Sequence, residues 1–154
     1  MLKKFGLIAA TLSATLAFSV TTTTAHDGAT GIVKERMESM EHVAATMKTL
    51  SKMASGEVAF DGKTASLATK EVAKNMAAFP KQFPEGSDKH PSEAGPAIWT
   101  NNAEFVAIAK QLEDAAAKAT KTLAGASDNS VVAGVLGDMG KTCKACHSKF
   151  RVKR

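Results

Sequence analysis

The chain's two cysteines stand three residues apart in Cys143-Lys144-Ala145-Cys146-His147, close to the C-terminal end. On a helix, residues three and four apart share a face, so both thiols and the imidazole would project toward one ligand. C-x-x-C-H is the spacing of c-type haem attachment. Two thiols can add to two vinyl groups as thioethers, while the neighbouring imidazole reaches the iron as its proximal ligand. The pattern therefore predicts one covalently bound haem c per chain, attached through Cys143 and Cys146 and ligated by His147. A disulfide, a thioredoxin-like dithiol and a zinc site use the same residue types. The first two leave His147 without a purpose, and a redox-active pair normally opens a helix in a βαβ setting. Zinc commonly takes four protein ligands where it is structural, and two cysteines with one histidine fall short.

These three residues need a helix to place them, and the chain's patterning supplies four. Val33, Met37, Met40, Ala44 and Met47 repeat at intervals of four and three between Gly31 and Met53, which predicts a first amphipathic helix. A second carries Leu67, Val72 and Met76 and stops at Phe79-Pro80, because proline cannot continue a helix interior. Residues 80–96, with Pro80, Pro84, Gly86, Pro91, Gly95 and Pro96, read as an irregular crossover. Ile98, Phe105, Ile108, Leu112, Ala115 and Leu123 predict a third helix ended by Gly125. Ser127, Asp128 or Asn129 can cap a fourth, carrying Val131, Val135, Met139, Cys143, Cys146 and Phe150. Such stripes bury one another as an all-α, antiparallel four-helix bundle with the haem motif at its C-terminal end.

The composition agrees. Only 5% of the 154 residues are aromatic and none is tyrosine, a poor supply for a β-sandwich. The formal charge of +5 is spread among acidic residues, which does not suit a nucleic-acid partner. Two of those charges, Lys3 and Lys4, precede an apolar stretch from Phe5 to Val20 and a small-residue segment ending at Ala25. This is the layout of a secretory signal peptide. The stretch is interrupted by Ser and Thr and is short of the roughly 20 apolar residues of a span. Residues 1–25 are accordingly expected to be removed, leaving a domain over 26–154 with no membrane segment.

With the motif at the end of a helical chain, the sequence resembles the class II c-type cytochromes, that is, cytochrome c prime and its low-spin relatives. The resemblance runs through Arg36 and Met40, Phe83-Pro84-Glu85-Gly86-Ser87, Pro96-Ala97-Ile98-Trp99 and Cys143 to Arg151. It implies a periplasmic protein with haem held between the helices. It also places Met40 over the haem face opposite His147, as a second iron ligand in low-spin members and as a mere obstruction in cytochrome c prime. Arg36 is followed by Met37, where cytochrome c prime commonly has glutamine, and this favours the low-spin type. Met37 and Met47 share the stripe, and core packing is the ordinary use of all three methionines.

Arg36 is implied to hold a haem propionate, with a solvated surface charge as its simpler reading, and Met37 beside it to line the pocket. Trp99 is expected to anchor the crossover and Phe105 to be core, while His26, His42 and His90 are expected at the surface. Lys141, Lys144, Lys149, Arg151, Lys153 and Arg154 make the last helix basic. They can steer an acidic redox partner or simply complement the helix dipole. Arg151, four residues past His147, is implied to stand near the proximal imidazole and tune the iron. The resulting expectation is a non-enzymatic single-electron carrier that pairs with redox proteins and in some relatives dimerises. The alternatives are a five-coordinate protein binding NO or CO and, if no haem is attached, a dithiol oxidoreductase.

Overall fold

Four long helices form where apolar spacing calls for them, and local chemistry marks their ends in the computed structural model, which describes residues 28–152. The expected leader over 1–25, His26, Lys153 and Arg154 lie outside the described residues. Helix α1 spans Gly31–Ser55 and ends at Gly56, whose left-handed φ of 75° turns its N–H back onto the Met53 carbonyl. Helix α2, Gly62–Ala78, starts at Asp61, whose carboxylate accepts from the Thr64 N–H. It gives way to a 3-10 turn over Phe79–Gln82 that contains Pro80. The crossover then leads to α3, a single turn over Ala97–Thr100, and to α4, Asn102–Ala124. A second short 3-10 turn, Asn129–Val131, opens α5, Val132–Phe150. Asp128 accepts from the Ser130 N–H at that start.

The third predicted helix is thus divided. At Asn101 the backbone leaves the helical region, and the side chain donates to Glu104 Oε2 at 2.7 Å instead of yielding to the helix. Asn102 Nδ2 takes up the Ile98 carbonyl at 3.1 Å. Two apolar positions also face outward, contrary to the predicted stripes. Ala44 is exposed and Leu67 is 54% exposed. In α1 the buried line is Arg36, Val43, Leu50 and Met53, with Met40 and Met47 half-buried beside it. The centre of the stripe is therefore turned from the line of methionines toward residues seven apart.

Hydrogen bonds between helices show that neighbours run antiparallel. Asn75 Nδ2, late in α2, donates to the Ser39 carbonyl, early in α1, at 3.0 Å. Ser66 Oγ, early in α2, donates to the Thr120 carbonyl, late in α4, at 2.9 Å. Asn129 Nδ2, at the entry to α5, donates to the Met53 carbonyl at the end of α1. Lys149, late in α5, pairs with Glu104, early in α4. Ala65, Thr69, Ala116 and Ala119 are all buried, and small side chains let α2 and α4 pack closely. No helix among the described residues is long and apolar enough to cross a membrane.

One end of the bundle is held by aromatic rings. Phe105 of α4 is 1% exposed and lies 4.9 Å from the Phe83 ring and 5.3 Å from the Phe150 ring, both edge to face. Phe79 closes the group at 5.0 Å from Phe83. Phe150 belongs to the last turn of α5, so these contacts fix the end of the helix that carries the cysteines. Phe105→Ala is expected to cost about 3–5 kcal/mol in guanidinium unfolding of the haem-loaded protein. A loss below about 1 kcal/mol would show that the ring cluster is not the anchor.

Candidate haem site

Cys143, Cys146 and His147 all lie in the last two turns of α5. Both cysteines are free thiols, half-buried at the margin of the core. Burial raises the Cys143 pKa, and burial followed by the neighbouring Cys143 pushes Cys146 up to about 11. His147 is exposed to solvent, yet partial desolvation, and then Arg151, lower its pKa, while Glu93 works in the opposite direction. An imidazole with a pKa below its ordinary value of about 6.5 is mostly neutral at pH 7, with a lone pair free for a metal. Among the described residues no group of three His, Cys, Asp or Glu side chains is gathered to cage a metal ion directly. The donors lie along one helix face instead. Two neutral thiols and one neutral imidazole on that face fit a flat ligand bound at its edge and at its metal, which is the chemistry of haem c.

Helix α1 packs against both α2 and α5. Met40 and Met47 are half-buried against the same core as Cys143 and Cys146. Met37 is half-buried, and Val43 closes the stripe. His42 is exposed in a groove of about 310 Å³ between α1 and α2, and His90 is exposed on the crossover.

Arg36 is 5% exposed, so it is not a solvated surface charge. Its guanidinium reaches into the crossover. Nη1 donates to Ser87 Oγ at 3.0 Å and more distantly to the Gln82 carbonyl, while Nη2 donates to the Ser87 carbonyl and to Ser92 Oγ. The cation also stands 4.7 Å over the Phe83 ring. Burial lowers the Arg36 pKa and Asp88 opposes this; a guanidinium nevertheless stays charged. Of the two serines that satisfy it, Ser92 lies in no motif, and Ser87, at the end of the Phe83 to Ser87 stretch, has nothing beside it in sequence that names Arg36 as its partner. Nearby, Gln82 Nε2 donates to Ser39 Oγ at 3.2 Å, whereas Gln82 Oε1 is buried without a protein partner. Trp99 Nε1 donates to the Phe83 carbonyl at 3.0 Å and pins the crossover at its other end.

The basic end of α5 is less uniform than its sequence. Lys149 pairs with Glu104 of α4, and Arg151 pairs with Glu93 of the crossover. All four described basic residues of this segment, Lys141, Lys144, Lys149 and Arg151, are exposed. The acids that balance the patch come from 45 and 58 residues away, out of reach of any local reading.

Comparison with known proteins agrees with this geometry. The family model described as "Cytochrome C'" matches residues 31–151. A cytochrome c-556 of Agrobacterium tumefaciens (strain B2A) is 35% identical over 124 residues, covering 80% of this chain and 99% of that protein. A cytochrome c' of Pararhodospirillum photometricum is 33% identical over 120 residues, covering 77% and 94%. The structure of cytochrome c' from Rubrivivax gelatinosus is similar with a TM-score of 0.66 at 30% identity, covering 79% of this chain and 94% of that one. Helices, motif position and these matches agree: the chain belongs to the cytochrome c' family, whose members carry one covalently attached haem c per chain.

Proposed function

We propose that this protein is a periplasmic, non-enzymatic carrier of single electrons, with its haem attached through Cys143 and Cys146 and its iron held between His147 and Met40. The observation that carries the reading is the donor set on the last turns of α5, two free thiols at the margin of the core and an imidazole, spaced three and four residues apart on one helix. When bound, haem iron supplies the one-electron ferric/ferrous couple. The chain's own residues then have distinct tasks. Cys143 and Cys146 prevent loss of the group, and His147 offers its lone pair on one side. Met40, half-buried on the helix packed against α5, offers a thioether sulfur on the other, and such a ligand favours a high potential. Met37 lines the pocket. Arg36 orders the crossover at the same end of α1, and its positive charge there is suited to a propionate.

A dithiol oxidoreductase is disfavoured by the same thiols. Such enzymes lower a cysteine pKa at a helix N-terminus, whereas Cys146 lies near a helix C-terminus with its pKa at about 11. Lys141 and Lys144, exposed at the motif, suit an acidic face on a redox partner, whereas the exposed Lys149 is already paired with Glu104. Members of this family are often dimers, and a second copy of this chain is a further proposed partner.

A second reading, binding of NO or CO at an open iron, draws on the half-buried position of Met40 and on relatives named cytochrome c'. The ferrous absorption spectrum separates the two. Met/His ligation predicts sharp low-spin bands unchanged by carbon monoxide, and Met40→Ala should become high-spin and bind the gas. A broad, CO-sensitive spectrum in the unaltered protein would replace the first reading with the second. For attachment, the Cys143→Ala/Cys146→Ala double variant should release all its haem into acidified organic solvent, while the unaltered protein releases none. Haem retained by the double variant would contradict the assigned thiols.

A further inference from the structure

The crossover returns to the far end of α5 and brings an acidic residue with it. Val152 N donates to the Glu93 carbonyl at 2.9 Å, Gly95 N donates to the Phe150 carbonyl at 2.8 Å, and Ala94 pairs with Arg151 in an antiparallel bridge. The two segments approach so closely that a Cβ at position 95 would stand 3.0 Å from the Phe150 oxygen, which explains glycine there. This bridge brings Glu93, one residue before Ala94, within reach of the Arg151 side chain. Arg151 Nε donates to Glu93 Oε2 at 2.5 Å, and Nη2 meets the same carboxylate oxygen. Arg151 follows His147 by four residues, directly after the last helical turn.

We infer that Glu93 is a positioning residue for the proximal side of the haem: it holds and neutralises Arg151 at the end of α5, and thereby sets the midpoint potential of the His147-ligated iron. The inference rests on His147 being the proximal ligand. An intact pair presents almost no net charge to the iron. Without Glu93, the Arg151 cation stands alone and favours the ferrous state, which carries one positive charge fewer. Without Arg151, the Glu93 carboxylate favours the ferric state. Both side chains are partly open to solvent, so salt must weaken either effect.

Spectroelectrochemistry of the haem-loaded protein at low ionic strength tests this. The midpoint potential should rise in Glu93→Gln, fall in Arg151→Gln and return toward the original value in the double variant, and the single shifts should shrink in high salt. A merely structural pair would lower thermal stability in both single variants without moving potential in opposite directions. Unmoved potentials, or shifts of one sign, in a protein whose spectrum is that of a His-ligated haem would overturn the role of Glu93 alone. If His147→Ala instead keeps the unaltered spectrum, the proximal-ligand reading fails and this inference falls with it.

Discussion

Three side chains from two helical turns can hold one rigid ligand only if the helix is anchored beyond them. Frayed last turns would let thiols and imidazole drift apart, since helix ends have unsatisfied carbonyls and little local stability. Here α5 runs on to Phe150, whose ring is 3% exposed and meets Phe105 edge to face. The Phe150 carbonyl is then taken by Gly95 N. Side chain and backbone therefore stop the helix at one place, one turn past the motif. The remaining architecture meets at this fixed point: α4 presents Phe105, the crossover presents Phe83 and Gly95, and α1, which carries Met40, packs against α5.

The second constraint is a buried charge. A guanidinium taken from water without partners is strongly destabilising, so the crossover must bring oxygen atoms to Arg36 or α1 could not pack as it does. Ser87 and Ser92 bring them, and Phe83 offers its ring face. A segment with four prolines and scarcely any regular structure thereby becomes a defined strap. It touches α1 through Arg36, α4 through Phe83 and the end of α5 through Glu93, Ala94 and Gly95. The helix proposed to supply the distal ligand and the helix proposed to supply the proximal one are thus tied by the same short stretch of chain.

Much of this was legible from residue order. The C-x-x-C-H spacing, the terminators Pro80 and Gly125 and the apolar repeat of α5 act over one or two helical turns, a range that spacing captures well. What escaped depends on partners far along the chain. Ala44 and Leu67 fit a helical period but face outward, because the choice among neighbouring stripes is made by packing and not by periodicity. Asn101 interrupts a continuous apolar pattern through its own side-chain hydrogen bond. Arg36 read equally well as a surface charge, since nothing near it in sequence indicates Ser87 or Ser92. The α5 tail read as uniformly basic because Glu93 and Glu104 join it only in three dimensions.

The central claim is that one short peptide carries both attachment sulfurs and the iron-binding imidazole. Proteolysis of the matured, coloured protein followed by mass spectrometry tests it most directly. The account predicts a single haem-bearing fragment containing Cys143 through His147, heavier than its bare sequence by one haem joined through two thioethers. Recovery of that fragment at its unmodified mass, from protein made with a competent haem-attachment apparatus, would contradict it.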